Sequence, residues 1–337
     1  MSRKRQAVFT KSEMTNLLGV SEKQHEVYMP NEIFNDLTEA FKENELQGKT
    51  STHIAFAYSY YFLANYMWRY ARYRHVDDKS GESPINEGLI KQILGFPAKS
   101  EQYTYLTKNK SGLLQNLGYI RKETDKPCRY FYENNGKKEV VFVYESDYPE
   151  VYGNNKNWKV SMPVKGIWRY EESELDNCED GTFYMIQKTH KIDIDVFIYC
   201  MTDAELGVEG FYLYSFLKYS TDKFKAFDCS NKGMAYLTGM SIDEVKSQLY
   251  KLEKRNMIEN DHKPFCRNKP NDKQTKANTY RINERYEFIS NKFQFNTIPK
   301  QRKISAERYE IEIGWANERE INGDIEDYEE MNDLPFD

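Results

Sequence analysis

One order of local signals occurs twice in this chain and narrows what it can fold into. A short helix stops at Leu94-Gly95 and again at Thr238-Gly239-Met240. A further helix then ends on leucines at i and i+3, Leu114 and Leu117 in one place, Leu249 and Leu252 in the other. Each turns into a strand on an isoleucine, Ile120 or Ile258, and each strand leads to a basic hairpin containing Lys-Pro and Cys (Lys126-Pro127-Cys128 and Lys263-Pro264-Phe265-Cys266). Two copies of one supersecondary unit, each needing its own core, predict an α+β protein with two domains, and 337 residues are enough for both.

Around the repeats, apolar spacing predicts helices over Asn31–Phe41 and Thr52–Tyr73, the latter with Ile54, Ala57, Tyr61, Ala64, Met67 or Trp68, and Ala71 as its core stripe. Helices follow at Asn86–Leu94 and Ser100–Leu117, then strands Ile120–Tyr132 and Val140–Tyr144 around the turn Asn134-Asn135-Gly136. In the second copy the helices are Phe211–Phe224, Lys232–Leu237 and one from the capping pair Ser241 and Glu244 to Arg255. The loop His262–Asn278 then returns through the strand Thr279–Ile282. Strand-like alternation in Trp158–Tyr170 and Phe183–Met201 makes residues 147–206 a partly β connector. The expected organisation is an arm with a short helix (1–45), a first domain (46–146), the connector (147–206), a second domain (207–285), an extension (286–317) and an acidic disordered tail (318–337).

The formal charge of −5 opposes a polyanionic partner until its placement is considered. Residues 318–337 hold nine acids against Arg319, a net of −8, which leaves +3 on residues 1–317. Residues 245–285 hold eleven Lys or Arg against five acids, and residues 99–138 hold nine against four. Phosphate contacts supply most non-specific DNA affinity, so a local excess matters more than the total. The candidate DNA contacts are Lys246, Tyr250, Lys251, Lys254 and Arg255 on the last helix of the second copy, with Lys263, Arg267, Lys269, Lys273 and Lys276 on its loop. In the first copy they are Lys108, Lys110, Arg121, Lys122, Lys126 and Arg129. A solvated basic face is the plain alternative for any one of them.

Catalytic patterns are missing from the sequence. The five cysteines (Cys128, Cys178, Cys200, Cys229, Cys266) never fall at Cys-x-x-Cys spacing, and the five histidines never pair at i, i+2 or i, i+4. That removes a zinc knuckle, a thioredoxin-type pair, a zinc protease and the histidine metal site of a rolling-circle nickase. Gly48-Lys49-Thr50 mimics the end of a phosphate-binding loop, but Glu43 stands where the pattern needs glycine. The reading is a non-enzyme with no cofactor and no metal. The basic start Met1-Ser2-Arg3-Lys4-Arg5 is followed by no apolar segment, and Ile54–Trp68 is too short to span a bilayer, so a cytoplasmic protein without membrane attachment is expected.

The repeated order is similar to the winged-helix variant of the helix-turn-helix family, over roughly residues 50–146 and 207–285. That resemblance implies two winged-helix domains, each with a second helix for the major groove and a hairpin wing for the backbone or minor groove. Gly95 and Gly239 supply the small residue of the tight turn. The first copy departs from the pattern at Phe96–Lys110, which is long and polar. At the other end, Asp333-Leu334-Pro335-Phe336 resembles the acidic tip of bacterial single-stranded-DNA-binding proteins, which implies a dock for replication partners; Asp337 beyond Phe336 departs from it, and a solubilising tail is the plain alternative.

Two such units with a connector, and the lead-in Tyr28-Met29-Pro30-Asn31-Glu32-Ile33-Phe34, resemble theta-type replication initiators of plasmids and phages of low-GC Gram-positive bacteria. The resemblance implies binding to double-stranded DNA at repeated origin sites and recruitment of host replication proteins, with a homodimer among the assemblies it allows. A winged-helix transcriptional regulator and a protein-binding replication adaptor acting through the tail are the alternatives.

Overall fold

The computed structural model describes residues 9–317 except 23, 44–49, 78–80, 135–137, 154–157, 166, 169–182, 185–187 and 291–293. The chain is α+β. Its order is α1 (Lys11–Leu17), β1 (Glu26–Pro30), α2 (Ile33–Glu43), α3 (Thr50–Arg69), β2 (Arg74–Asp77), β3 (Gly81–Pro84), α4 (Glu87–Ile93), α5 (Thr104–Thr107), α6 (Leu113–Asn116), β4 (Ile120–Glu123), β5 (Pro127–Asn134), β6 (Lys138–Tyr144), α7 (Pro149–Tyr152) and β7 (Val160–Pro163). There follow β8 (Ile167–Trp168), β9 (Phe183–Tyr184), β10 (Thr189–Asp193), α8 (Ile194–Thr202), α9 (Gly207–Phe224), β11 (Phe227–Cys229), α10 (Asn231–Thr238), α11 (Ile242–Lys254), β12 (Ile258–Asp261), β13 (Phe265–Arg267), β14 (Asn278–Ile282), α12 (Arg285–Phe288), β15 (Lys303–Ser305) and α13 (Ala306–Glu312). Contacts divide the chain into two compact units, residues 1–33 with 55–212 and residues 34–54 with 213–337. No helix among the described residues is long and apolar enough to cross a membrane.

The first unit is built around α3, whose residues from Ala55 to Trp68 are all buried. A helix apolar on every side belongs in the middle of a core, so its one-face stripe carries little information. Phe62 stacks on Phe197 at 5.2 Å and meets Phe211 edge-on at 4.9 Å, while Phe56 stacks on Tyr103 at 4.3 Å. Several of the abundant tyrosines are buried here with their hydroxyls hydrogen-bonded, as burial requires. Tyr58 bonds His190 at 2.7 Å, Tyr60 bonds Ser161 at 2.8 Å and Glu87 at 2.9 Å, and Tyr73 donates to the Ser161 carbonyl. Burial, with the Glu87 carboxylate beside it, holds the Tyr60 phenol well above its ordinary pKa.

In the second unit, α2 lays Phe34, Leu37 and Phe41 inward, and Phe34 meets Phe216 and Tyr219 of α9 at 5.3 and 5.4 Å. The strand β14 is central, antiparallel to β11 on one side and β12 on the other, with Ile258 opposite Ile282 and Phe227 opposite Tyr280. Gly239 ends α10 at φ +65°, and a Cβ there would lie 2.9 Å from the Ile54 side chain, so a side chain in the turn between α10 and α11 would be strained.

The two copies share their caps, turns and strand entry. Asn86 caps α4 and Ser230 caps α10, and Gly95 (φ +82°) and Gly239 close those helices at the same spacing from their caps. Leu114 then matches Leu252, because the Tyr119 amide donates to the Leu114 carbonyl (2.8 Å) as Met257 does to Leu252 (3.0 Å). Gly118 (φ +76°) and Asn256 (φ +54°) take the left-handed position, which shifts the expected leucine pairing by one helical turn.

Several expectations change. The helix expected over Ser100–Leu117 is two short ones, α5 and α6. Lys108–Gly112 turns sharply between them, with Lys110 at φ +67° and the Gly112 amide on the Lys108 carbonyl at 2.8 Å. A Cβ on Gly112 would lie 2.5 Å from that oxygen, so only glycine fits. The strand expected from Ile120 to Tyr132 breaks before Pro127; β4 pairs with β7, from the stretch read as a connector, while β5 and β6 pair with each other and their turn at 135–137 lies outside the described residues. The same stretch sends β10 to pair with β1. The strand-like run through Met201 changes to helix α8 after Asp193.

Candidate nucleic-acid interface

Helix α11 carries the clearest outward-facing set. Ser241 caps it, its hydroxyl accepting from the Glu244 amide at 3.2 Å, while the Glu244 carboxylate accepts from Gln248 rather than reaching back to close a capping box. Val245, Leu249 and Leu252 are buried, which turns Lys246 and Tyr250 to solvent, Tyr250 at 54 % exposure. Lys251 and Lys254 are half-buried, and the Lys254 ammonium lies 5.1 Å from the centre of the Phe295 ring. Arg255 corrects the expectation. It is 2 % exposed, it donates from Nη1 to the Lys251 carbonyl (3.2 Å), and it faces the same Phe295 ring, so it secures the helix end rather than meeting DNA.

The loop after β12 is held from one side by residues 301–316, an arrangement absent from the sequence reading. Within the loop, β13 pairs in parallel with β15, Cys266 opposite Ile304. The Phe265 amide donates to Arg302 (2.8 Å), Gln301 to the Lys263 carbonyl (2.8 Å), the Lys276 amide to the Tyr309 hydroxyl (2.9 Å) and the Ala316 amide to Gln274 (2.9 Å). Cys266, Ile304 and Tyr309 form a small buried core with Trp315, which stacks on Tyr309 at 4.9 Å. Thus held, the loop presents Arg267, Lys269 and Lys273 to solvent, with Lys263 and Lys276 half-buried. Lys263 pairs with Asp261, and the Lys269 ammonium donates to the Lys273 carbonyl. The one local signal for this strap is Ser305, which caps α13 by accepting from the Arg308 amide at 3.3 Å.

Between this loop and the start of α10 lies a cleft of about 670 Å³, lined among others by Ser230, Asn231, Lys263, Lys269, Lys276 and Ala316. None of its lining residues is acidic.

The first unit keeps fewer of its expected contacts. Lys108, Lys110 and Arg129 are exposed, and Arg121 is ion-paired with Glu123. Lys122 and Lys126 are corrections. The Lys122 side chain is 7 % exposed, 3.6 Å from Glu87 and 3.1 Å from the Tyr60 hydroxyl, and burial pulls its pKa below the ordinary lysine value. Lys126 is buried 3.0 Å from Glu145 with its ammonium 3.9 Å from the centre of the Trp158 ring, and Arg74 joins the same carboxylate at 2.7 Å. Desolvated and fully partnered, these two cations hold the fold. The tail residues Asp333, Leu334, Pro335 and Phe336 lie outside the described residues.

His25, Glu26 and Asp193 bring one possible ligand atom each within 4.8 Å of one another. The Lys191 ammonium already sits 2.9 Å from Glu26 and, by its hydrogen bond, holds that carboxyl below its ordinary pKa, so a metal would have to displace it. Comparison with protein-family models, with curated proteins and with solved structures finds no match for this chain.

Proposed function

We propose that the protein is a cytoplasmic, non-catalytic binder of double-stranded DNA whose second unit is a winged helix. In this reading α10 and α11 are the helix-turn-helix, α11 enters the major groove with Lys246 and Tyr250 leading, and the loop after β12 is the wing that meets phosphates. The observation that carries it is the order α9, β11, α10, α11, β12, β14 with β14 central, together with exposed Lys246 on α11 and exposed Arg267, Lys269 and Lys273 between β12 and β14. The matching caps, turns and strand entry of the first unit support a second, diverged copy whose segment from Gly95 to Leu114 is six residues longer than Gly239 to Leu252. The cysteines among the described residues, Cys128, Cys200, Cys229 and Cys266, form no disulfide, which suits a reducing compartment.

Two DNA-reading units in one chain fit initiation of plasmid or phage replication at repeated sites, with host replication proteins as partners. An operator-binding regulator is the second reading, favoured by burial of Lys122 and Lys126, which leaves the first unit a thinner basic face. Cloning the gene with its flanking DNA on a replicon lacking an origin separates them. Maintained plasmid copies, lost when the flanking repeats are deleted, are the expected result; no replication, with binding confined to a promoter, would replace the initiator by the regulator.

A further inference from the structure

We propose that the acidic residues 318–337 occupy the lysine-lined cleft of the second unit and compete there with DNA phosphates. The chain itself delivers this segment to the cleft. Ala316 is one of the lining residues and is fixed by its amide to the Gln274 carbonyl of the loop, so the sequence continues into residues 318–337 from the cleft wall. Twenty residues extended reach roughly 70 Å, far more than the cleft requires.

Charge is complementary. The cleft offers Lys263, Lys269 and Lys276, and although Asp261 pairs with Lys263, no acid lines the cleft itself. The next segment carries a net −8. Ser230 and Asn231 at the start of α10 also line the cleft and add the positive end of a helix dipole. A tethered segment acts at an effective concentration in the millimolar range, so individually weak ion pairs suffice to populate the docked state. The cations it covers are part of the proposed DNA-binding loop, so the competition rests on the DNA reading, while the docking does not.

The test has two parts so that those claims fail separately. Zero-length carbodiimide cross-linking of the full chain, read by mass spectrometry at low salt, is expected to join Lys263, Lys269 or Lys276 to acids of residues 318–337, and to lose these links in high salt. Links spread evenly over exposed lysines such as Lys11, Lys99 and Lys232, or found only between differently isotope-labelled copies, would overturn docking within one chain. The second part uses the full chain with its nine tail acids changed to amides (E318Q, E320Q, D324N, E326Q, D327N, E329Q, E330Q, D333N, D337N). It should bind a random-sequence duplex roughly tenfold tighter than the parent at low salt and converge with it as salt rises. Equal affinities at low salt would overturn the competition; loss of DNA binding by both chains, with the cross-links intact, would remove the DNA reading and leave the docking standing.

Discussion

Tyr309→Ala is expected to release the loop of residues 262–277 while helix α11 stays folded. Tyr309 is fully buried, stacks on Trp315 and accepts the Lys276 amide, in a small cluster whose other buried members are Cys266 and Ile304, with Ala306, Ile313 and Trp315 packed against it. Truncating a buried aromatic to alanine costs about 3–5 kcal/mol. So small a cluster has nothing to share that loss with, and it should appear as local opening of the strap rather than unfolding of the unit. Hydrogen exchange should speed up at Lys276, Ala316 and Phe265 and stay slow in α11. DNA affinity should fall about tenfold, because Arg267, Lys269 and Lys273 would then have to be ordered on binding. Unchanged protection at Lys276 would show that the strap does not hold the loop.

Lys126→Ala and Glu145→Ala should both destabilise the first unit, and by different amounts. Removing one partner of a buried ion pair costs about 3–5 kcal/mol. After Lys126→Ala the carboxylate still has Arg74 at 2.7 Å, which places the loss near the lower end. After Glu145→Ala both Arg74 and Lys126 lose their carboxylate against the Trp158 ring, which places it near the upper end. Urea unfolding read by fluorescence should rank the two in that order, with DNA affinity unchanged in folded Lys126→Ala protein. Reduced DNA affinity at unchanged stability would return Lys126 to the interface.

What the sequence made legible was local. Ser241, Gly95 and Gly239 each carry their own reason for being where they are, and the caps and turns formed at those residues. Equivalent turns recur too, although Leu114 corresponds in position to Leu252 rather than Leu249, because the left-handed residue and not the leucine sets the register. Alternation misled at Ile192, Ile194, Val196 and Ile198. These read as one strand, yet only Ile192 lies in β10; the other three are in α8 with Phe197, Cys200 and Met201, all buried, and a segment buried on most sides has no period that separates strand from helix. The pairing of β4 with β7 and of β13 with β15 joins segments far apart in sequence, and no local signal at Ile120 or Phe265 names its partner.

The candidate site was legible in composition and not in burial. A lysine in a basic run has the same local neighbours whether it faces water, like Lys246, or lies under Trp158, like Lys126. Arg255, by contrast, follows Leu252 by three residues and Gln248 by seven, both buried, so its helical spacing already placed it on the inward side, where it faces Phe295, forty residues on.

The central claim, that α11 and the held loop of the second unit meet DNA phosphates, is tested most directly by salt dependence. The slope of log affinity against log salt for a random-sequence duplex should be measured for the full chain and for K246A/R267A/K269A/K273A. Each lost phosphate contact removes about 0.9 from the slope, so the variant should be shallower by roughly 3–4 with its thermal unfolding unchanged. A slope equal to that of the parent would contradict the claim.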